Sequence, residues 1–278
     1  MSLKTEIMSK DEKEVTEPKP VGPPKSIFRE YLESFVVTLV MAIFGMTFVL
    51  QAVTVPTGSM QNTILIGDYL LVNKFIFAPG GKPLPFMPQR EIERGDIIVF
   101  KFPGYPKELA KTREEKEQAG VPYQTNFVKR VIGLPGDKVE VRGNDVYIND
   151  QLLPEHKIIG DSPSRDAALK TKEIEPRQPN QTYDVYYSER VIKGGYEDRD
   201  YEYAGKGKPY TVPEGSYFVM GDSRNQSLDS RYWGPVSRDL VVGRAMFVYW
   251  SCDRGTSDGS FFSCLTHPRL NRIGTLIK

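Results

Sequence analysis

The chain has 278 residues, which is enough for one large domain or two smaller ones with a sizeable core. Its 37 basic and 36 acidic residues leave a net charge of +1, and the basic residues are scattered rather than arranged in a stripe, which argues against a nucleic-acid partner. The two histidines, His156 and His267, and the two cysteines, Cys252 and Cys264, lack a recognised zinc-ligand spacing, so we expect no metal.

The N-terminal region combines a polar tail with one long apolar run. Residues 1–26 are charged and proline-rich, a composition typical of a disordered tail. The run over residues 35–53 contains no charged residue and is about long enough to cross a bilayer as a helix, so we expect a transmembrane anchor over residues 27–54. Lys25 and Arg29 precede the run, and by the positive-inside tendency the N-terminus is cytoplasmic and the rest of the chain lies on the far side.

A cleaved secretory signal and a buried core helix are the alternatives to an anchor. The run is longer than the apolar core of a typical secretory signal, and no Ala-x-Ala stands at its end. A helix that is apolar on every face, beside a disordered tail, suits a membrane better than a protein core. We therefore expect the anchor to be retained.

The rest of the chain has the pattern of short strands. Glycine and proline are frequent, at 24 and 21 residues, and they punctuate β-branched and aromatic runs. We predict strands at residues 68–77, 96–102, 127–134, 138–148, 216–220 and 240–250. Between residues 149 and 212 the pattern is weaker, with candidate strands at 182–187 and 201–204, which indicates an inserted subdomain.

Residues 75–88 are apolar but rich in proline. Proline excludes this segment from a central strand, so we expect a loop. The loop either dips into a membrane interface or packs against the protein core. The sequence leaves both open.

A serine lies on a glycine-containing turn, residues 56–60, shortly after the apolar run. To act as a nucleophile, Ser59 needs a base. The sequence argues against histidine as this base, because both histidines lie in polar, proline-flanked loops and are predicted to be surface residues. The remaining candidates are a lysine, a carboxylate or metal-bound water. Strand alternation places Lys129 on the face of Phe127 and Val131, where burial would lower its pKa. The alternative, a lysine whose amine reaches solvent at a sheet edge, is favoured by periodicity alone.

A second polar segment, residues 220–234, lies between two predicted strands, as binding loops often do. Within it, Ser227 could orient a lysine amine. Asp229 and Arg231 carry opposite charges and could form a structural pair. Taken alone, the segment is more typical of an ordinary solvated loop.

The two cysteines flank a polar stretch that has the composition of a hairpin-like loop. Outside the cytoplasm, a disulfide between Cys252 and Cys264 would stabilise the fold mainly by restricting the unfolded chain. Two free thiols are the alternative, and the sequence does not decide between them.

Four short motifs follow one another along the chain. They are P-x-G-S-M at residues 56–60, R-G-D-I-I-V-F at 94–100, K-R-V-I-G-L-P-G-D at 129–137 and G-D-S-R-x-x-S-x-D-S-R-x-W-G at 221–234. In this order they resemble the bacterial type I signal peptidase family. The resemblance implies a mainly β fold of coiled antiparallel sheets with an inserted cap subdomain, preceded by one N-terminal transmembrane helix. The implied divisions are a disordered cytoplasmic tail at 1–26, an anchor at 27–54, a catalytic β domain at 55–144 and 213–278, and an inserted subdomain at 145–212.

The resemblance also implies a role for residues near the serine. Ser59 matches the family's nucleophile and Lys129 its general base. Thr57 stands where a hydroxyl is expected to help the Ser59 backbone N–H bind the oxyanion. Met60 matches a residue that lies against the substrate cleft.

Further positions of the resemblance lie in the polar segment. Ser227 matches the serine that hydrogen-bonds the lysine, while Asp229 and Arg231 match a supporting pair. Two positions depart from the family pattern: Asn62 stands where proline is usual, and Ser223 replaces the asparagine of G-D-N-R. We expect Asn62 to leave the turn after the serine less rigid.

The implied function is that of a membrane-anchored serine endopeptidase with a Ser/Lys dyad that cleaves N-terminal signal peptides from exported preproteins. The expected partners are preprotein signal peptides and the lipid bilayer, with no nucleic acid, no cofactor and a monomeric state. The expected location is the inner (cytoplasmic) membrane, in a single pass, with the catalytic domain outside the cytoplasm. The alternatives are a dedicated processing enzyme of the same clan, such as one that matures a pilus subunit, and a catalytically dead scaffold that binds signal sequences.

Overall fold

The computed structural model describes residues 26–78, 83, 85–86, 88–104, 125–161, 168, 170–193, 201–253 and 261–278. All but the last residue of the tail predicted for 1–26 lies outside these residues. The chain divides into two compact units, Met1–Ile43 and Phe44–Lys278. The described strands, β1 to β14, are Leu50–Thr54, Asp68–Asn73, Ile97–Lys101, Asn126–Gly133, Lys138–Arg142, Asp145–Ile148, Gln151–Leu152, His156–Asp161, Lys170–Glu173, Asp184–Tyr187, Tyr210–Thr211, Ser216–Met220, Val236–Ser237 and Val241–Ser251.

The described helices are one long helix near the N-terminus and several short ones. The α-helices α1 to α4 are Ile27–Phe44, Glu189–Lys193, Ser230–Trp233 and Phe261–Thr266. A π-helical turn, Gly45–Val49, follows α1, and single 3₁₀ turns occupy Arg224–Gln226, Arg238–Leu240 and Leu270–Arg272. By length and composition, the 23 residues Ile27–Val49 are apolar enough to cross a membrane, and none of the window is buried in the protein.

The helical segment ends before the apolar run does. The run predicts a helix to residue 53, but Leu50–Thr54 forms β1, which pairs antiparallel with β2. In this strand Val53 is buried while its neighbour Thr54 is exposed, the alternation of a strand at the surface of a core. The last apolar residues of the run therefore contribute to the sheet, because pairing with β2 satisfies their backbone groups.

A seven-stranded sheet, in the order β1-β2-β14-β3-β4-β12-β13, forms the centre of the second unit among the described residues. Its neighbouring strands all pair antiparallel. The 11-residue strand β14 pairs with β3 over its first residues and with β2 over the rest. Register shifts in both pairings bend the strand. Along β3, Ile97 and Val99 pack in one hydrophobic cluster and Ile98 and Phe100 in another. The sheet is thus buried on both faces beside β4.

Two smaller sheets follow the central one, in the orders β11-β5-β6-β7 and β10-β8-β9. The first is antiparallel, whereas β10 runs parallel to β8, so that His156 lies opposite Asp184. A third hydrophobic cluster joins these strands to the central sheet, and it includes Ile132 of β4 and Phe218 of β12. The mainly β, antiparallel fold is as predicted, and the β8–β10 pair is the exception.

Two predicted strands differ from the structure because of left-handed backbone positions. The strand predicted at 138–148 is a hairpin of β5 and β6, which reverses at Gly143, whose φ is 60°. Residues 201–204 form turns, and the φ of Ala204 is 58°, which an extended strand does not tolerate. The prediction at 216–220 matches β12 in full.

The apolar loop predicted at 75–88 packs against the core at its start. Phe77 is buried in the same cluster as Phe100, and the guanidinium groups of Arg90 and Arg238 lie 5.6 and 5.9 Å from the centre of its ring. Phe86 is fully exposed. Residues 79–82, 84 and 87 lie outside the described residues, so contact of this segment with a membrane stays a prediction.

The two cysteines form a disulfide. Cys252 and Cys264 are 12 residues apart in sequence, and their Cα atoms are separated by 5.1 Å. Cys252 is completely buried and its backbone N–H donates to the carbonyl of Gly67. The bridge thus ties the segment after β14 to α4, and the hydrogen bond of Cys252 ties the same segment to the turn that precedes β2.

Candidate active site

The serine singled out by the sequence lies on a tight turn just after β1. Ser59 is 8% exposed, and its turn is closed by hydrogen bonds from the Gln61 N–H to the Gly58 carbonyl (3.0 Å) and from the Ile64 N–H to the Met60 carbonyl (2.7 Å). A Cβ atom on Gly58 would lie 2.8 Å from the Oε1 atom of Gln61, so a larger residue here would displace the Gln61 side chain. The hydrogen bonds of the turn hold the Ser59 backbone beside the cleft.

Lys129 of β4 contacts this serine directly. Its Nζ atom lies 2.5 Å from Ser59 Oγ, and the two residues are 70 positions apart in sequence. The lysine is 3% exposed, and its Nζ atom lies 3.2 Å from the carbonyl oxygen of Val128 and 5.4 Å from the centre of the Phe127 ring. The alternative of a lysine that reaches solvent is excluded by this burial.

Burial lowers the pKa of Lys129 from its ordinary value of 10.5 to about 8. The negative charges of Asp229 and Asp222 act in the opposite direction, and the positive charge of Arg231 adds to the lowering. An appreciable fraction of the amine is therefore neutral near physiological pH. A neutral amine 2.5 Å from a hydroxyl can accept its proton.

The loop between β12 and α3, residues 221–229, is called the polar loop below. At its end, Asp229 Oδ1 and Oδ2 accept hydrogen bonds from Arg231 Nε (2.8 Å) and Nη2 (2.9 Å), and Oδ2 also accepts from the Gly221 N–H (3.0 Å). Both side chains are buried. Burial would raise the pKa of Asp229, but the charge and hydrogen bonds of Arg231 outweigh it and hold that pKa below its ordinary value. The hydrogen bond from the Gly221 N–H to Asp229 joins the two ends of the loop, and Arg231 holds the Asp229 carboxylate in place.

A second buried ion pair connects the polar loop to β4 and to the serine turn. Arg130, next to Lys129, donates from Nε and Nη2 to the two carboxylate oxygens of Asp222, each at 2.7 Å. Asp222 Oδ2 also accepts from the Thr63 hydroxyl at 2.6 Å, and the Asp222 N–H points at Met60 Sδ at 3.4 Å. One carboxylate thus holds both the strand that carries the lysine and the turn that carries the serine.

A third buried ion pair joins the polar loop to the segment between β7 and β8. The carboxylate of Glu155 accepts hydrogen bonds from both Nη atoms of Arg224, and from the Tyr183 hydroxyl at 2.9 Å. Sequence reasoning missed this pair because Glu155 lies in the predicted insertion, outside every motif. Arg130 and Asp222 were also missed, although both stand inside the motifs quoted above.

Ser227 lies in the polar loop but does not hydrogen-bond the lysine amine. Its Oγ atom is buried and forms no hydrogen bond to Lys129, and its hydroxyl helps to hold the pKa of Asp229 below its ordinary value. A Cβ atom on Gly221 would lie 2.2 Å from Ser227 Oγ and 2.4 Å from the Ser59 carbonyl oxygen, so the loop packs closely against the serine turn. The Ser223 N–H donates to that same carbonyl at 3.1 Å.

Asn62, the position where the family pattern has proline, has a φ of 74°. Proline is confined to a φ near −65°, so it does not fit this turn as built. Asparagine is among the residues that tolerate the left-handed region. The departure from the pattern therefore goes together with a different backbone conformation after the serine.

A cleft of about 1090 Å³ opens in front of Ser59 and Lys129. Thr57 is exposed on its wall, while Met60 lines it from a buried position. The other lining residues are Thr54, Val55, Pro56, Gly58, Gln61, Ile66, Thr125, Asn126, Phe127, Val128, Gln226 and Leu228. The cleft is thus bounded by the end of β1 and the serine turn on one side and by the start of β4 on the other.

Neither histidine lines this cleft, and the prediction that both are surface residues is wrong for His156. His156 is 3% exposed, and its ring nitrogens lie 2.6 Å from Asp184 Oδ1 and 3.0 Å from the carbonyl oxygen of Glu175. Its ring links β8 to β10 and to the loop that contains Glu175. The local sequence does not reveal that these two strands pair, so it could not predict the burial of this histidine. Among the described residues, no group of three or more His, Cys, Asp or Glu side chains could hold a metal ion.

Comparison with known proteins places the chain in a family. The model of the family described as "Signal peptidase, peptidase S26" matches residues 28–250. The chain belongs to this signal peptidase family. It is 30% identical over 264 residues to signal peptidase I of Pseudomonas aeruginosa, covering 88% of this chain and 81% of that protein. It is 33% identical over 231 residues to signal peptidase I of Rickettsia massiliae, covering 78% of each, and 30% identical over 239 residues to a probable signal peptidase I-2 of Synechocystis, covering 86% and 81%.

The signal peptidase family match confirms the resemblance read from the four motifs. It extends over α1, the serine turn, β4 and the polar loop, and so includes every element that surrounds the cleft. The fold has the mainly β architecture and the apolar N-terminal helix expected for the family.

Proposed function

We propose that this chain is a membrane-anchored serine endopeptidase that removes N-terminal signal peptides from exported preproteins, with Ser59 as nucleophile and Lys129 as general base. The single observation that carries the proposal is the 2.5 Å contact between Lys129 Nζ and Ser59 Oγ at the floor of a cleft. Membership of the signal peptidase family supports the substrate class. Relatives named signal peptidase I support it as well.

The reaction proceeds through an acyl-enzyme. Neutral Lys129 takes the proton of the Ser59 hydroxyl while Oγ attacks the scissile carbonyl, giving a tetrahedral intermediate. The resulting ammonium returns that proton to the leaving amine as the peptide bond breaks. In the second half, Lys129 takes a proton from water, the hydroxide attacks the ester, and the proton returns to Ser59 Oγ as the signal peptide leaves with a free carboxylate.

The oxyanion would be bound by the Ser59 backbone N–H and the Thr57 hydroxyl. Thr57 is exposed on the cleft wall, two residues before the nucleophile. Removing one oxyanion donor typically costs about 100- to 1000-fold in turnover. Thr57→Val keeps the shape of the side chain and removes only the donor, so it isolates this contribution.

The substrate backbone would lie as an added strand in the cleft. β12 ends opposite Arg130, so the first residues of β4 are paired with β3 on one side only. Alternation of the ladder leaves the backbone groups of Asn126 and Val128 directed away from β3, towards the cleft. An extended peptide can pair with such an edge, with Met60 and the serine turn on its other side. The family resemblance implies small residues at the first and third positions before the cut.

The polar loop would support the base. We assign Ser227 the role of hydrogen-bonding the Lys129 amine when the lysine carries its proton, since its buried Oγ atom lies beside the serine turn and near Asp229, whose charge acts on that amine. Asp229 and Arg231 act as the pair that keeps this loop closed, because Asp229 accepts from the Gly221 N–H and Arg231 donates to the Arg224 carbonyl.

The membrane topology follows from the apolar helix. Ile27–Val49 would cross the inner membrane once, with the 1–26 tail in the cytoplasm and the enzyme, as a monomer, on the opposite side. A disulfide between Cys252 and Cys264 supports this orientation, because disulfides persist in oxidising compartments. The proposed division has the anchor at 27–49, which ends before the residue 54 expected from the sequence because Leu50–Thr54 forms β1, the catalytic β domain at 50–144 and 213–278, and the inserted subdomain at 145–212.

Cleavage of a preprotein by the purified full chain in detergent tests the proposal. We expect the wild type and Lys138→Met, which alters an exposed lysine, to cleave a preprotein that carries an Ala-x-Ala site. Ser59→Ala and Lys129→Met should both lose cleavage, and Thr57→Val should keep substrate binding with reduced turnover. Cleavage that survives Lys129→Met would exclude the dyad, and a wild type inactive on a panel of preproteins would exclude the substrate class.

A further inference from the structure

Three buried arginine–carboxylate pairs involve the polar loop, which packs against the serine turn. They are Arg130–Asp222, Arg231–Asp229 and Arg224–Glu155. In the first two pairs the carboxylate belongs to the polar loop. In the third the carboxylate is supplied by the segment between β7 and β8, part of the region that carries no family motif.

Glu155 is enclosed in this contact. Its side chain is 1% exposed and that of Arg224 is 0% exposed. Glu155 Oε2 lies 2.5 Å from Arg224 Nη1, Oε1 accepts from Nη2, and Oε1 also accepts from the Tyr183 hydroxyl at 2.9 Å. All the carboxylate oxygens thus have partners, so the geometry of the pair is well defined.

The contact continues from Glu155 to the lysine in two directions. Through the polar loop, the Arg224 carbonyl accepts from Arg231 Nη2 at 2.6 Å, and Arg231 holds Asp229, whose charge acts on the Lys129 amine. Through β4, the ring of Tyr183 lies 4.1 Å from the guanidinium of Arg130, the residue after the lysine. The segment between β7 and β8 therefore reaches both sides of the site.

Charge balance makes this contact necessary. The three arginines stay positive at any pH at which proteins fold, and three carboxylates match them. Without Glu155, Arg224 would be a buried and unpaired cation, which is strongly unfavourable. The polar loop would have to move to hydrate it, and that loop holds the Ser59 carbonyl through the Ser223 N–H at 3.1 Å.

We propose that Glu155 is a positioning residue of the active site: through Arg224 it holds the polar loop where Lys129 and Ser59 meet. This gives the inserted segment a role, which is to complete the buried charge balance behind the dyad. The expected loss of turnover rests on the proposed function, whereas the expected change in the environment of the Lys129 amine does not. Glu155 does not line the cleft, so it acts through other residues.

Glu155→Gln keeps the shape of the side chain and removes its charge. The matched control is Glu140→Gln, because Glu140 is also buried and paired, but its hydrogen bonds go to Arg142 and the Gly207 N–H rather than to the polar loop. For Glu155→Gln we expect kcat on a preprotein to fall about 10- to 100-fold with KM changed less than about threefold, since small displacements of reacting groups have effects of this size. Glu140→Gln should keep the wild-type kcat.

A second readout follows the lysine itself. Acetic anhydride labels neutral amines, so the pH dependence of Lys129 acetylation, measured by mass spectrometry, reports the protonation of this amine without any substrate. The charges that face the amine are Asp222, Asp229 and Arg231. Loss of Glu155 adds an unbalanced positive charge from Arg224 behind them, so the labelling midpoint should move to lower pH in Glu155→Gln and stay in place in Glu140→Gln.

Wild-type kcat and an unchanged labelling midpoint in Glu155→Gln would overturn the proposal, as would equal effects in Glu140→Gln. If Glu155→Gln does not fold, Tyr183→Phe provides the second variant. It removes only the hydroxyl that binds the carboxylate, and we expect kcat to fall by about threefold or more; wild-type kcat in that variant would contradict the proposal. If the wild type cleaves no preprotein, the peptidase proposal fails, while the labelling midpoints still decide the role of Glu155.

Discussion

Replacing Lys129 with methionine should stabilise the folded protein at neutral pH while abolishing its proposed chemistry. The amine is almost fully buried, and burial lowers its pKa from 10.5 to about 8. The folded chain therefore binds this proton more weakly than the unfolded chain does. The lysine consequently reduces the free energy of unfolding at every pH below about 8, and this penalty is relieved as the pH rises from 8 towards 10.5.

The size of the penalty follows from the two pKa values. Each pKa unit corresponds to about 1.4 kcal/mol, so the difference between 10.5 and about 8 amounts to roughly 3 kcal/mol. Methionine has a similar length and carries no charge, but it loses the hydrogen bond to Ser59, which is worth about 1 kcal/mol. We expect Lys129→Met to gain about 2 kcal/mol at pH 6.5 and to gain nothing, or lose about 1 kcal/mol, near pH 10.5.

Urea unfolding of the full chain in detergent, at both pH values, measures this difference. The informative quantity is the change in the free energy of unfolding between variant and wild type at each pH, because other titrating groups cancel in it. Ser59→Ala is the control, since it also removes the proposed activity but keeps the buried amine, and its effect should vary with pH much less than that of Lys129→Met. A Lys129→Met effect that is equal at pH 6.5 and 10.5, or a variant less stable than wild type at pH 6.5, would refute the argument that the lysine is held with a depressed pKa.

Three further outcomes test the site. The kcat/KM for preprotein cleavage should rise about tenfold per pH unit at low pH and reach half of its maximum near pH 8, where half of Lys129 is neutral; a profile that is flat from pH 6 to 9 would contradict this. Gly221→Ala should fold but lose at least about 100-fold in kcat, because its Cβ atom would lie 2.2 Å from Ser227 Oγ and displace the polar loop. Wild-type turnover of this variant would show that the loop need not pack this closely. The free energy of unfolding, measured in urea, should change by less than about 0.5 kcal/mol in Asn62→Gly. It should fall by at least about 1 kcal/mol in Asn62→Pro, because the φ of 74° excludes proline. A proline variant as stable as the wild type would mean that this turn adopts another conformation.

The sequence by itself determined the features that depend on neighbours along the chain. Short β-branched and aromatic runs between glycine- and proline-containing turns predicted all of β12 and β3 and most of β4, because such residues favour strands. Strand alternation placed Lys129 on an apolar face, and the order of four motifs identified the signal peptidase family. The roles of Ser59 and Lys129 remain predictions from that resemblance, now joined by their contact.

Only the tertiary structure decided which distant residues meet. Ser59 and Lys129 are 70 positions apart, and Glu155 and Arg224 are 69 apart, so no local period connects them. The apolar run could not reveal that it ends as β1, because a strand and the end of a membrane helix are both apolar and β2 supplies the pairing. The sequence also does not reveal which charged residues are buried. In the sequence Glu155 resembles an ordinary surface carboxylate, and only the fold encloses it with Arg224. The balance of charges near the lysine matters because these groups are buried.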